Sequence, residues 1–228
     1  MPPTWLTVLA WLSLASAFVC AGLIAADIFI RGFRQRMWIM NVVWPLTALY
    51  TGPLGWLAYR RWGRLNSPRY RPQSGARGHY PFWVSVGISD THCGAGCALG
   101  DVISEWALFA VGATIAGVTL WPEYIADLAL AFVFGIAFQY FAIAPIRRLG
   151  FRDGVIAALK SDALSVITFE IGLFGWMALF FFVFFTDPHL APDHAAYWFM
   201  MQIGMVLGFL TSYPANSWLI RHGIKEGM

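Results

Sequence analysis

Trp5-Leu-Thr-Val-Leu-Ala-Trp-Leu-Ser-Leu-Ala-Ser-Ala-Phe-Val-Cys-Ala-Gly-Leu-Ile-Ala-Ala-Asp-Ile-Phe-Ile30 is an uninterrupted apolar run in which Asp27 is the only charged residue. A membrane-crossing helix needs about 20 mostly apolar residues, whereas the core of a cleaved signal peptide has only about 7–15. No basic stretch precedes the run, and apolar sequence continues well past the cleavage-like Ala15-Ser16-Ala17. It is therefore expected to remain in place as a first membrane span.

Further apolar segments follow the same rule. Trp38–Tyr59 is broken by Pro45, Gly52, Pro53 and Gly55, and Val84–Trp121 is longer than one crossing requires. Pro122–Ile146, a stretch from Asp153 through Phe185, and Ala195–Ile220 complete the set. The chain of 228 residues is 59% hydrophobic and 12% charged, against roughly 45–50% and about 25% in soluble proteins. Its mean hydropathy is +0.62. Nineteen Phe and twelve Trp supply the aromatic residues that favour the membrane interface. The fold class is all-α, a polytopic transmembrane helical bundle of about six spans in contact with the lipid bilayer.

Basic residues set the expected topology, because cytoplasmic loops carry the excess of Lys and Arg. Six full spans with both termini in the cytoplasm put Arg60–Arg77, Arg147–Arg152 and the C-terminal tail inside, leaving Arg31, Arg34 and Arg36 outside. The alternative is a re-entrant second segment, which keeps all the basic loops inside and moves the N-terminus out. Residues 1–82 then form two N-terminal segments plus an Arg-rich loop, and residues 83–228 a four-helix core. The Arg-rich loop has the length and placement of a topology signal, so nucleic-acid binding has no support.

Chemistry concentrates in Asp90-Thr-His-Cys-Gly-Ala-Gly-Cys-Ala-Leu-Gly-Asp101. On a helix, Cys93 and Cys97 stand one turn apart on one face, and Asp101 follows a turn later. Ionisable groups at membrane depth are costly to hold there, so they mark functional sites. Thiolates and thioethers select soft cations such as Cu(I), and imidazole suits copper or zinc. His92, Cys93 and Cys97 are thus candidate metal ligands at the entry turns of the third helix. Met201 and Met205 repeat the four-residue spacing on the last helix. Asp101, Glu105, Asp162 and Glu170 are candidates for proton or charge coupling, with Glu170 the deepest on its helix. The bland alternative is packing, since Gly94, Ala95, Gly96, Ala98 and Gly100 form a small-residue surface of the kind that lets membrane helices approach closely. Gly204-x-x-x-Gly208 offers a second such surface.

The chain resembles a family of bacterial membrane proteins, the domain-of-unknown-function family DUF4396. The residues that carry the resemblance are His92-Cys-Gly-Ala-Gly-Cys97 with Leu99-Gly-Asp101, Lys160-Ser-Asp-Ala-Leu-Ser165 running into Phe169–Met177, Phe199–Met205 and Tyr213-Pro-Ala-Asn216. The resemblance covers the last four spans and implies a multi-pass protein of the bacterial inner membrane.

Three functions fit these features. The first is binding or transport of a soft metal ion, Cu(I) foremost, with a metal chaperone or a membrane complex as possible partner. The second is a membrane thiol oxidoreductase, although an i,i+4 helical pair stands too far apart for an undistorted disulfide. The third is a structural or assembly subunit. No Walker loop, nucleophile elbow or HExxH pattern occurs, so no catalytic residue is assigned and the chain leans away from being an enzyme.

Overall fold

The computed structural model describes residues 2–69 and 80–227, so Arg71, Arg77 and His79 lie outside the described residues. Seven α-helices follow one another: α1 Thr4–Phe29, α2 Met40–Thr51, α3 Pro53–Arg61, α4 Phe82–Val111, α5 Leu120–Arg147, α6 Phe151–Leu179 and α7 Ala195–Arg221. A π-helical turn, Phe180–Phe184, extends α6. Five of these helices, α1, α4, α5, α6 and α7, are long and apolar enough to cross a membrane. The all-α bundle implied by hydropathy is the bundle observed.

Side chains sort by their surroundings. On α1, Ala10, Ala17 and Ile24 are buried against the bundle, while Trp5, Leu12, Phe18, Val19 and Leu23 face outward. A helix that is apolar on every side suits a lipid exterior rather than water.

Hydrogen bonds between helices fix their directions. Ser104 of α4 donates to Asp127 of α5, Gln139 of α5 to Ser161 of α6, and Ser165 of α6 to Asn216 of α7. Helices α4 to α7 therefore run alternately up and down. Ser13 of α1 donates to Gln202 of α7 at 2.7 Å, near the beginning of both helices, so these two run parallel. The start of α1 and the end of α7 consequently lie at opposite ends of the bundle. Every described Lys and Arg sits at or toward the end where α7 finishes, whereas the connections 112–119 and 185–194 at the other end contain none.

The second apolar segment explains this arrangement. It is not one rod but two short helices, of 12 and 9 residues, each too short for a crossing of about 20. They meet at Gly52, whose φ of 57° and ψ of −130° fall where a side chain is poorly tolerated. Pro53 then opens α3 at its first position, where a missing N–H costs nothing. The pair folds back as a hairpin: Trp44 on the inward arm stacks edge-on to Tyr59 on the return arm at 5.6 Å. At the mouth, Tyr59 and Arg64 both reach Asp27, at the end of α1, at 3.0 Å. At the tip, Gln202 donates to the Leu49 carbonyl at 2.7 Å. Irregular backbone at membrane depth is stable only when protein satisfies it, and Gln202 supplies that bond.

The hairpin returns to the side from which it entered. The second segment thus takes the re-entrant form, the five long helices remain in keeping with about six spans, and Arg31, Arg34 and Arg36 come to the same end as the other arginines. A difference concerns the Gly-rich motif. Helix α4 begins at Phe82 and runs for 30 residues, about 45 Å. Cys93 and Cys97 are thus about 16 and 22 Å along it, in its middle and not at its entry turns.

Candidate functional site

A single stripe of α4 carries Cys93, Cys97, Asp101 and Glu105 at four-residue steps. All four side chains are buried. Each step of four drifts about 40° round the helix, which carries Glu105 toward Asp127 of α5 and Tyr197 of α7. The result is a column of polar groups through the centre of an otherwise apolar bundle, with three distinct levels.

The middle level is sulfur. Cys93 and Cys97 are free thiols whose Sγ atoms stand 4.0 Å apart. Two thiolates sharing an ion at about 2.3 Å each can stand up to ~4.6 Å apart, so both sulfurs can reach one ion without rearrangement. A disulfide would need them at about 2.05 Å. The hairpin tip lies against this level: a methyl group at Gly94 would meet the Tyr50 hydroxyl at 2.5 Å. Met201 and Met205 of α7 are buried in the same apolar cluster as both cysteines. The small residues have the packing role expected of them. A Cβ at Gly96 or Gly100 would strike the α5 backbone, at Gly135 N and Ala131 N, at 2.7 and 2.8 Å. Gly208 likewise lies against the Phe169 carbonyl of α6.

The level toward the arginine-free end is acidic. Asp101 and Glu105 of α4, Asp127 of α5 and Glu170 of α6 are each no more than 1% exposed. They act on one another electrostatically. Asp127 accepts from Ser104, but both carboxylate oxygens of Asp101, Glu105 and Glu170 lack a hydrogen-bond partner among the described residues, as does the Tyr197 hydroxyl. Among the described residues no Lys, Arg or His forms an ion pair with any of them. The Glu170 carboxyl approaches the Cys97 thiol, linking this level to the sulfur pair.

The level toward the arginine-rich end, in contrast, contains a cation of its own. After α7 the chain turns back, and Lys225 enters the bundle with its side chain wholly buried. Its ammonium donates to Asp162 Oδ1 and Asn216 Oδ1, each at 2.6 Å, and to Ser165 Oγ at 3.4 Å. Asn216 donates in turn to Asp90 at 2.6 Å, and Ser212 donates to both Asp90 oxygens at 2.8 and 3.0 Å. Burial works against the Lys225 charge, yet the carboxylate of Asp162 outweighs it, so the ammonium's pKa is held above the ordinary lysine value of 10.5.

The structure thus gathers Cys93, Cys97, Asp101, Glu105 and Glu170 along one column, with Asp162 at its end. His92 stands on the stripe that includes Ile88 and Ala95, about 100° round from Cys93; both its ring nitrogens are buried and unpartnered among the described residues. No three His, Cys, Asp or Glu side chains among the described residues converge as a ready-made metal site. Sequence reasoning missed Asp127, Tyr50, Tyr197 and Lys225. Asp127 had a signal, being a carboxylate one turn after Glu123 in an otherwise apolar stretch of helix. Lys225 had none, since a polar tail gives no hint that it folds inward.

These features define an integral membrane protein built round a buried polar column. The chain belongs to the family described as Domain of unknown function (DUF4396), whose model matches residues 82–225. No curated protein and no solved structure matches it. The matched region contains α4 to α7 and Lys225, while α1 to α3, which bring Tyr50 to the sulfur level, precede it.

Proposed function

We propose that this protein handles a soft metal cation inside the membrane, and that Cys93 and Cys97 form its seat. Cu(I) is the ion the donor set favours. The observation that carries this reading is the pair of buried thiols with sulfurs 4.0 Å apart, next to carboxylates with no cationic partner of their own. Binding to two thiols releases their protons, so uptake should weaken as pH falls. Asp101, Glu105, Asp127 and Glu170 are placed to accept such protons or to offset the charge of a passing ion. Met201 and Met205 offer further soft donors on α7, and His92 a further nitrogen.

The direction of insertion follows from charge. With the arginine-rich end in the cytoplasm and the N-terminus outside, all described basic segments obey the positive-inside rule. The paired level then faces the cytoplasm and the acidic level the exterior, in the bacterial inner membrane that the family implies. A metal chaperone or membrane complex would meet the cytoplasmic end. Residues 1–82 would serve as an addition that seals the sulfur level through the hairpin. Metal analysis of detergent-purified protein tests the reading: the wild type should retain copper after desalting under reducing conditions, and Cys93→Ser with Cys97→Ser should retain none. Equal copper in both would end it.

A further inference from the structure

The ammonium of Lys225 is an unusual occupant of a membrane bundle. It arrives not on a helix but on the strap 222–227 that follows α7, and it fills a socket built by other elements. Asp162 and Ser165 come from α6 and Asn216 from α7. The socket offers the cation only oxygen atoms: a carboxylate at 2.6 Å, an amide carbonyl at 2.6 Å and a hydroxyl at 3.4 Å. An ammonium has three donors and no acceptor, so this is one acceptor for each proton.

The socket is also braced by bonds that do not involve the lysine. Ser165 donates to Asn216 at 2.8 Å, and the Asn216 amide is oriented by its bond to Asp90, itself held by Ser212. That chain of bonds holds the Asn216 carbonyl toward the cation through contacts other than Lys225 itself. Asp162 Oδ2 has no hydrogen-bond partner among the described residues, leaving spare acceptor capacity. The strap is fastened by backbone bonds from Ile224 and Lys225 to the Leu219 carbonyl at 3.0 and 3.2 Å, by the half-exposed pair Arg147–Glu226 at 2.8 Å and by a bond from Ser89 to the Glu226 carbonyl at 3.3 Å.

We propose that the Asp162–Ser165–Asn216 socket is a binding site for a small monovalent cation or a primary ammonium group, which the chain's own Lys225 occupies as a tethered stand-in. The site is distinct from the thiol seat and takes a hard, oxygen-coordinated ligand where the thiols take a soft one. An external cation and the strap compete for it, so a bound cation and a released strap occur together.

Alkylammonium rescue tests this without reference to metal at the thiols. Purified Lys225→Ala protein is melted in detergent with increasing methylammonium, ammonium, sodium or potassium, using tetramethylammonium as a control of equal charge that has no N–H and is too large. At least one of the four small cations should raise the melting temperature saturably in Lys225→Ala, and the rise should vanish when Asp162→Asn is added. Absence of any saturable rise, or a rise that persists with Asp162→Asn, overturns the proposal. Should Lys225→Ala fail to fold, hydrogen exchange on the wild type decides. Amides of 222–227 should exchange faster with the effective small cation than with tetramethylammonium; equal exchange rates overturn the proposal.

Discussion

The two ends of the polar column use the same helices to opposite effect. At the arginine-rich end, the Asp162 carboxylate meets the Lys225 ammonium, and Asn216, Ser165, Ser212 and Asp90 close the network round them. At the other end, Asp101, Glu105, Asp127 and Glu170 crowd together with no positive group among the described residues to offset them. Buried charges are normally paired or coordinate a metal. The first end obeys that rule internally. The second has no cation of its own among the described residues with which to do so.

The largest test of this contrast removes one partner from the closed end. Asp162→Ala leaves a buried ammonium uncompensated and should cost about 3–5 kcal/mol, read as a fall in the denaturant or thermal midpoint in detergent. Replacing both partners with apolar residues, Asp162→Leu with Lys225→Met, should recover most of that loss, because a buried pair is often exchangeable for apolar packing. If the double variant were as unstable as the single one, the ion pair would not be what holds this end.

At the open end the sign should reverse. Glu170→Met removes a buried carboxyl that has no cationic partner among the described residues, and should leave stability unchanged or raise it by up to about 1–3 kcal/mol, while weakening cation uptake. A marked destabilisation would mean that Glu170 is structurally paired after all. Packing gives an effect of similar size and opposite direction: Gly96→Ala forces α4 and α5 apart at Gly135 and should cost about 1–3 kcal/mol, with no effect specific to metal.

The smallest effect is on pH dependence. Because the folded-state pKa of Lys225 lies above its ordinary 10.5, its stabilising contribution is complete below that value and is lost as pH rises through the folded value. Melting temperature should therefore decline in the alkaline range for the wild type, and this component of the decline should be missing in Lys225→Met. Identical alkaline profiles would show that the ammonium does not titrate with folding.

Much of the fold was legible because hydropathy over a span-length window is a strong signal. The first and last long helices could be read almost residue by residue, Trp5–Ile30 against Thr4–Phe29 and Ala195–Ile220 against Ala195–Arg221, whereas the run Val84–Trp121 overshot α4, which ends at Val111. The hairpin was harder. Trp38–Tyr59 has the length and apolarity of a crossing, and Gly52 and Pro53 could mark a kink as well as a reversal. Only contacts from distant segments, Asp27 to Tyr59 and Gln202 to Leu49, decide between them. The thiol and carboxylate stripe of α4 was legible from its four-residue spacing, since all its members share one helix. Asp127 and Tyr197 join it from other helices, where no spacing rule connects them. Lys225 was invisible because its partner lies 63 residues away and solvated tails share its composition.

The central claim is that Cys93 and Cys97 hold one soft ion between them. X-ray absorption at the copper edge of the Cu(I)-loaded, purified protein tests it most directly. The account predicts sulfur scatterers at about 2.2–2.3 Å, lost from the Cys93→Ser, Cys97→Ser variant although that variant still folds. A first shell of nitrogen and oxygen alone, or an unchanged sulfur shell in the variant, would contradict it.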